Sequence, residues 1–327
     1  MKRNFRWIVL CAVVLLSACS VPKFDPFSSD MKPLQEVTLS GTGKDKILLI
    51  SVSGMISTAP KKGLLSTSPS LVEQLVVELE KAKTDKNIKA VLLKINSSGG
   101  TITASDILYK EIAGYKEKSG GKVGVIMMDV AASGAYYLSM PADMIMAHPT
   151  TVTGSIGVIF IRPKVNALLD KVGIGVEISK FGSLKDMGSP YRPTTDEEKA
   201  LIQKTVDAYG KRFIDLVAKH RKLAAGQVAQ ISTAQVFVAD EALRLGLIDK
   251  IGYIADAVKE TKLIAGLPDD ARVVAYRRRD IPEDNYYRTA LVEPQTTSLS
   301  LIHIALPDIF TAGAGFYYLW PEAIHFE

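Results

Sequence analysis

The sequence predicts an α/β protein in which helices cover a parallel β-sheet. Two continuous apolar runs, Lys46–Val52 and Ile88–Ile95, are each followed by a segment whose apolar residues recur at helical spacing. The runs lack the polar–apolar alternation of half-exposed strands, which is typical of strands buried on both faces. Strands and helices that alternate in this way indicate parallel strands joined by crossover helices.

Local signals bound the first two strand–helix units. The first helix begins behind Ser68-Pro69-Ser70, and its apolar positions are Leu71, Val72, Leu75, Val76 and Leu79. The second strand ends at Asn96-Ser97-Ser98-Gly99-Gly100, and the helix after it has apolar residues at Ala104, Ile107, Leu108 and Ile112. Ligands bind at the carboxyl ends of parallel strands, so the Gly99-Gly100 turn lies at a candidate binding edge.

Ser133 follows the third apolar run, Val123–Met128, at a point where small residues separate a strand from an aromatic-rich helical segment. Such a strand-to-helix turn can lift one side chain out of the sheet. The neighbouring alanines and glycine let a peptide backbone approach, and the amide of Gly134 is expected at a helix N-terminus, where developing negative charge is stabilised. Ser133 is therefore a candidate nucleophile. The alternative is a serine that only caps a helix.

The Gly99-Gly100 turn has two interpretations. Glycine tolerates positive φ, so the pair can simply form a tight turn. Alternatively, an amide from Gly99 or Gly100 joins that of Gly134 in an oxyanion hole, where losing one donor costs about 3 kcal/mol of transition-state stabilisation.

Later segments continue the α/β pattern. Asp143–Ala147 is predicted as a strand, and Thr151–Val158 brings small residues close to the sheet edge. Within it, Ser155 can orient a catalytic group as a second-layer residue, although hydroxyls in such turns mostly cap backbone amides. A long amphipathic helix is predicted after Thr194-Thr195, and a short helix is predicted to end near Gly246.

Four segments together resemble the signal peptide peptidase A (protease IV) family in order and spacing, over about Lys46 to Val274. They are Ile95–Gly100, Ala131–Tyr137, Thr153–Val158 and Gly182–Pro190. The resemblance implies a crotonase-like, Clp-protease-like fold and a cofactor-free serine endopeptidase that cuts remnant signal peptides or other short apolar peptides. It also implies a homo-oligomeric ring in which serine and lysine can come from neighbouring subunits.

The resemblance singles out Lys185 as the general base for Ser133. A base must be neutral near pH 7, which requires the pKa of the amine to fall by about three units from about 10.4, equivalent to about 4 kcal/mol. Burial can supply such a shift, so Lys185 is expected to be desolvated near Ser133. None of the four histidines lies in a segment that resembles a triad base.

Two positions depart from the family pattern: Ser98 stands where proline is usual and Ala135 where a second glycine is usual. Both lie in the predicted oxyanion region, which leaves open a catalytically impaired peptide-binding or scaffold ring. An acyl-CoA enzyme of the related crotonase fold is disfavoured because an exported protein meets little coenzyme A. A peptidase acting on a membrane scaffold protein differs only in its substrate.

The first residues predict export and lipid anchoring. Lys2, Arg3 and Arg6 precede an apolar stretch, and Leu16-Ser17-Ala18-Cys19 resembles a bacterial lipobox. The stretch is shorter than the roughly 20 residues that a spanning helix needs. We therefore expect a signal peptide over 1–18 and a lipid on Cys19, which places the protein in the bacterial envelope facing the periplasm, on the outer or inner membrane. The alternative is a short uncleaved anchor.

The domain plan follows from composition. Residues 19–45 are rich in proline and glycine and predict a flexible tether, 46–275 the peptidase domain, and 276–327 a C-terminal extension with an aromatic segment at 314–321. That segment docks on its own or a neighbouring body, or contacts membrane. The chain has 327 residues, of which 47% are hydrophobic. Its two cysteines are Cys11 and Cys19, so the predicted peptidase domain contains none. No metal motif is present, and a net charge of +5 without a sustained basic run disfavours nucleic acid.

Overall fold

A mostly parallel β-sheet forms the centre of the protein. The computed structural model describes residues 33–62, 67–278, 284–288 and 314–321. In chain order the strands are β1 (Gln35–Ser40), β2 (Lys46–Ser53), β3 (Lys61–Lys62), β4 (Thr67–Ser68), β5 (Ile88–Ser97), β6 (Gly99–Thr101), β7 (Lys122–Ala132), β8 (Met144–Ala147), β9 (Val152–Gly154), β10 (Ile159–Ile161), β11 (Val236–Val238), β12 (Lys250–Ile251), β13 (Arg272–Arg277) and β14 (Gly315–Leu319).

Helices connect these strands. They are α1 (Leu71–Thr84), α2 (Ile102–Ser119), α3 (Gly134–Ser139), α4 (Asn166–Lys171), α5 (Asp196–Arg221), α6 (Ala225–Ile231), α7 (Ala239–Arg244) and α8 (Ile254–Ile264). Ser70 caps the start of α1: its side chain accepts a hydrogen bond from the Glu73 amide, and the Glu73 side chain accepts one from the Ser70 amide. This capping box typically stabilises a helix by about 1 kcal/mol.

The strands of the main sheet lie in the order β1-β13-β2-β5-β7-β8-β12. All neighbours in this order are parallel except β1 and β13. The end of β7 also pairs in parallel with β9, which in turn pairs antiparallel with β11. The predicted fold class, a parallel sheet covered by helices, is confirmed.

Both faces of the sheet are buried, as the uninterrupted apolar runs predict. In β2, Leu48, Ile50 and Val52 face the core formed with α1, α2 and α3. Their neighbours Ile47 and Leu49 face a second core beneath α8. Successive side chains of a strand point to opposite faces, so a strand covered on both sides needs an apolar residue at nearly every position.

Strand β1 corrects the prediction for the tether. Gln35–Ser40 is a strand that pairs antiparallel with β13, with Val37 opposite Ala275, so irregular structure was the wrong prediction for these six residues. The partner strand arrives near the end of the domain, and a pairing between such distant segments leaves no local signal. The predicted signal peptide and Cys19 lie outside the described residues. Within the described ranges, no helix has the length and apolar character needed to cross a membrane.

A smaller antiparallel sheet lies beside the main one. It has the order β10-β14-β6, so the C-terminal strand β14 lies between two strands of the body. The aromatic segment at 314–321 therefore docks on its own chain. Another part of the predicted extension is also anchored, because Arg277 Nε binds Asp284 Oδ2 at 2.8 Å with both side chains almost fully buried.

Candidate active site

Ser133 lies at a strained turn between β7 and α3. Its backbone has φ 52° and ψ −115°, a conformation that residues other than glycine rarely adopt. Such a residue costs on the order of 1–3 kcal/mol and persists only where neighbouring structure enforces it. Here the Ser133 amide donates to the Gly154 carbonyl at 2.8 Å, and the Ser133 carbonyl accepts the Tyr137 amide at 2.9 Å. The predicted strand-to-helix turn is present.

The hydroxyl of Ser133 is buried and unpaired. The residue is 1% exposed, and its Oγ has no hydrogen-bond partner within the described part of the chain. Although Ser133 occupies the N-cap position of α3, its side chain makes no capping bond. A buried hydroxyl without a partner is costly in a stable fold. The capping interpretation therefore does not account for this serine.

The glycine turn presents one of its two amides. Gly99 has φ 109°, and its amide donates to Ser97 Oγ at 3.1 Å. The Gly99 carbonyl and the Thr101 amide both bond to Ile56, so they face away from β14. Alternate residues of a strand face opposite edges, and Gly100 therefore directs its amide towards β14.

The Gly100 and Gly134 amides lie close together. A methyl group placed on Gly134 would be 3.2 Å from the Gly100 nitrogen, and one placed on Gly99 would be 2.8 Å from the Gly134 nitrogen. This crowding explains why glycines occupy these positions. Of the three predicted oxyanion residues, Gly100 directs its amide towards β14, the Gly134 nitrogen lies next to the glycine turn, and the Gly99 amide is already paired with Ser97.

The two positions that depart from the family pattern fit their surroundings. Ala135 is fully buried in the main core, and its carbonyl accepts the Ser139 hydroxyl at 2.8 Å. The carbonyl of Ser98 accepts the amide of Trp320 at 3.0 Å.

Ser155 lies one residue beyond the Gly154 carbonyl that holds Ser133. It also has a positive φ, 49°, and its amide donates to the Gln235 carbonyl at 2.9 Å. The strained Ser155 backbone therefore supports the strand end against which the Ser133 turn is held.

Lys185 makes no hydrogen bond to the serine hydroxyl in a single chain. It is exposed in a turn, and Ser133 Oγ makes no hydrogen bond to it or to any other described residue. The expected burial of Lys185 beside Ser133 is therefore not met within one chain.

An ion-pair network next to Lys185 anchors its turn. Asp186 binds Lys180 Nζ at 2.5 Å and Arg192 Nε at 2.7 Å, and Arg192 Nη2 binds Glu198 at 2.5 Å. The hydrogen bond from Arg192 lowers the pKa of Asp186, with Lys180 adding to the effect. Arg192 likewise lowers the pKa of Glu198 to about 2. The turn is thus fixed to the start of α5 while the Lys185 side chain projects into solvent.

The segment around this turn is unusually apolar for an exposed surface. Phe181 is fully exposed, and the other exposed large apolar residues of the segment are Leu168, Val172, Ile174, Val176, Ile178, Met187 and Tyr191. An exposed segment with so many large apolar side chains is typical of an interaction site. We call residues 168–191 the lysine-bearing surface.

Three residues near the serine were not assigned a role from the sequence. Ser97 Oγ accepts the Gly99 amide and donates to the Gly54 carbonyl at 2.7 Å, which fixes the glycine turn. Ser105 is fully buried beside Gly134 and donates to the Thr101 carbonyl at 3.0 Å. Tyr318 comes from the far end of the chain. Only the Asn96–Gly100 motif pointed towards any of them, through Ser97.

Comparisons with known proteins identify the family. The model described as "Peptidase family S49" matches residues 115–267. A putative signal peptide peptidase SppA of Enterococcus faecium is 33% identical over 291 residues, covering 83% of this chain and 84% of the relative. A putative protease of Methanocaldococcus jannaschii is 37% identical over 62% of this chain and 63% of the relative. Protease 4 of Haemophilus influenzae is 32% identical over 63% of this chain, which spans 33% of that longer protein.

Solved structures with a similar chain path include two proteases. One is a membrane-bound stomatin-specific protease, with 18% identity, a TM-score of 0.41 and coverage of 67% of this chain and 86% of that one. The other is ClpP1 of Listeria monocytogenes, with 16% identity, a TM-score of 0.42 and coverage of 64% and 94%. On the evidence of the sequence relatives, the chain belongs to peptidase family S49, the family of signal peptide peptidase SppA, and is a serine peptidase.

Proposed function

We propose that the protein is an endopeptidase that cuts remnant signal peptides and other short apolar peptides through Ser133 and Lys185. The observation that carries this proposal is the unpaired hydroxyl of Ser133 on a strained turn beside the Gly100 and Gly134 amides. Strain of this kind at a nucleophile is part of how such turns present the reactive oxygen.

The chemistry needs a base, two amides and a water. Neutral Lys185 takes the Ser133 proton as Oγ bonds to the substrate carbonyl carbon, and the oxyanion accepts hydrogen bonds from Gly100 and Gly134. The resulting ammonium returns the proton to the leaving amine as the peptide bond breaks. Water then attacks the acyl-enzyme by the same route and releases the new carboxyl group. Ser155 supports the Gly154 carbonyl that holds the Ser133 backbone.

The base comes from a neighbouring subunit in this proposal. Lys185 is exposed in one chain, and the surface that carries it is apolar and anchored by the Asp186–Arg192–Glu198 network. Packing this surface against the next copy would remove Lys185 from solvent and could bring it to that copy's serine. A repeated head-to-tail contact of this kind closes a ring.

The serine is tested directly by substitution. Ser133→Ala is expected to lose hydrolysis of an apolar signal-peptide substrate, with the products followed by mass spectrometry. A fluorophosphonate probe should label wild-type protein at Ser133. If the assembled protein is never labelled, it is a catalytically impaired peptide-binding ring. If Ser133→Ala cleaves at the wild-type rate, the nucleophile is wrong.

Sharing of the site is tested by mixing inactive proteins. Lys185→Met should also be inactive, whereas Lys259→Met, a change at an exposed lysine outside the lysine-bearing surface, should remain active. When subunits of Ser133→Ala and Lys185→Met are exchanged in equal amounts, about one quarter of the sites combine an intact serine with an intact neighbouring lysine. Activity that returns towards this fraction supports the shared site. A mixture that stays inactive after proven subunit exchange contradicts it.

We also propose that lipid on Cys19 holds the protein at the bacterial envelope, facing the periplasm. The support is the leader sequence alone. Intact mass spectrometry of the membrane fraction should show an acylated chain that begins at Cys19, and Cys19→Ala should remove both the acyl mass and the cleavage. A wild-type chain that retains residues 1–18 without acylation would contradict the proposal.

A further inference from the structure

The strand β14 occupies a slot beside the candidate nucleophile. It is the middle strand of the smaller sheet and runs antiparallel to both β6 and β10. On its other edge, β6 is held by hydrogen bonds to Ile56, so its position does not depend on β14. Without β14, the two flanking strands would face each other across about two strand spacings, or about 10 Å. This is the width at which an extended peptide adds as a strand.

The register brings one carbonyl of β14 to the candidate oxyanion amides. Tyr318 is directly opposite Gly100, whose amide faces β14, and the Trp320 amide donates to the Ser98 carbonyl. A methyl group on Gly134 would lie 3.0 Å from the Tyr318 carbonyl oxygen and 3.2 Å from the Gly100 nitrogen. The Tyr318 carbonyl oxygen thus lies beside the two glycines that carry the candidate oxyanion amides, the place that the proposed mechanism assigns to the carbonyl under attack.

The side chain of Tyr318 fills an aromatic pocket next to this point. Its ring is fully buried, stacks on Tyr137 at a centroid distance of 5.2 Å and packs against Phe213 at 4.7 Å. Its hydroxyl donates to the Tyr209 carbonyl at 3.1 Å. Tyr137 belongs to the helix that begins directly after Ser133, so the pocket wall and the nucleophile are held by one element.

We propose that residues 315–319 are a built-in occupant of the peptide-binding groove, with Tyr318 in the pocket that receives the side chain of the residue whose carbonyl is attacked. External peptides must displace this strand before they can be cut. The pocket then favours substrates with tyrosine or phenylalanine at that residue, because a planar ring stacks on Tyr137 and a hydroxyl reaches the Tyr209 carbonyl. The inference rests on the proposed function.

The full-length protein tests the occupant through KM. If β14 fills the groove nine-tenths of the time, loosening it should lower KM about tenfold and leave kcat unchanged. Tyr318→Ala is expected to show this change, and Tyr287→Ala, which removes an exposed tyrosine of the same extension, is expected to behave as wild type. A folded Tyr318→Ala protein with wild-type KM would overturn the inference.

Two further measurements do not require the variant to fold. A synthetic peptide of residues 314–321 should inhibit the wild-type protein competitively, and its Tyr318→Ala version should inhibit about tenfold less. In hydrogen-exchange mass spectrometry of full-length Ser133→Ala protein, the same peptide in excess should increase exchange in the chain's own 314–321 segment. A peptide that neither inhibits nor changes this exchange contradicts the inference.

The outcomes separate the two proposals. Exchange measures strand displacement without catalysis, so displacement in a protein that hydrolyses nothing would leave the groove assignment standing and reject the peptidase mechanism. Ser133-dependent hydrolysis, with an unchanged KM in Tyr318→Ala and no inhibition by the peptide, would support the peptidase mechanism and reject the groove assignment. Substrates that differ only by tyrosine or alanine at the cut residue give the specificity, with an expected preference of at least about tenfold in kcat/KM for tyrosine.

Discussion

The strained backbone at Ser133, the proposed nucleophile, predicts that this residue lowers the stability of the fold. Replacing Ser133 by alanine removes a buried hydroxyl without a partner, which should raise the free energy of unfolding by about 1 kcal/mol. Alanine keeps a Cβ at φ 52° and ψ −115°, whereas glycine relieves a strain of about 1–3 kcal/mol. Glycine also lowers the free energy of unfolding by about 0.4–1 kcal/mol, because it gives the unfolded chain more conformational freedom. Ser133→Gly should therefore exceed Ser133→Ala by about 1 kcal/mol.

Both variants lack the proposed nucleophile, so differences in self-digestion should not affect the comparison. Urea unfolding at matched protein concentration gives the two free energies, and a difference of 1 kcal/mol corresponds to roughly 2–4 °C in the thermal midpoint. The matched control is Ser57, which has no positive φ. There, glycine should be less stable than alanine. If glycine is also the less stable residue at position 133, the turn stores no strain and the structural argument for a nucleophile loses its energetic support.

Three other changes have defined expectations. Gly154→Ala should destabilise the protein by about 2 kcal/mol and slow probe labelling of Ser133. The reason is that Gly154 has φ +90° and the new methyl group would lie 2.6 Å from the Phe237 ring. An unchanged urea midpoint would contradict this. Burial raises the pKa of Glu78 from 4.5 to about 8, so folding favours its protonated form and wild-type stability should fall as pH rises through that window. Glu78→Gln should lack this fall and gain at least about 1 kcal/mol on wild type between pH 5 and pH 8 in urea titrations, and equal slopes would refute the argument. Arg277→Ala should cost about 3–5 kcal/mol by leaving Asp284 buried without its partner, and a loss below 1 kcal/mol would show that the pair is not desolvated.

Local patterns were sufficient for the elements that carry the serine. The apolar run of β2, the capping residue of α1 and the small residues after β7 each act within a few positions, so one stretch of sequence reveals them. Ser133 belongs to this class, because the small residues that its turn needs are its immediate neighbours in the sequence.

Other features depend on segments that are far apart in the chain. The edge strand β1 pairs with β13, and β14 pairs with β6, so proline-rich or aromatic composition alone did not indicate a strand. The choice between the Gly99 and Gly100 amides required the Ser97 hydroxyl, which no spacing rule identifies. The role of Lys185 came from family resemblance, and the fold of one chain leaves that side chain in solvent.

The pairing of β1 with β13 brings the beginning and end of the peptidase body side by side. Gln35 is the register partner of Arg277, so the chain enters and leaves the main sheet at the same margin. The segments that precede Gln35 and follow Arg277 therefore leave the main sheet side by side, so a group attached before Gln35 begins next to the start of the segment that leads to β14.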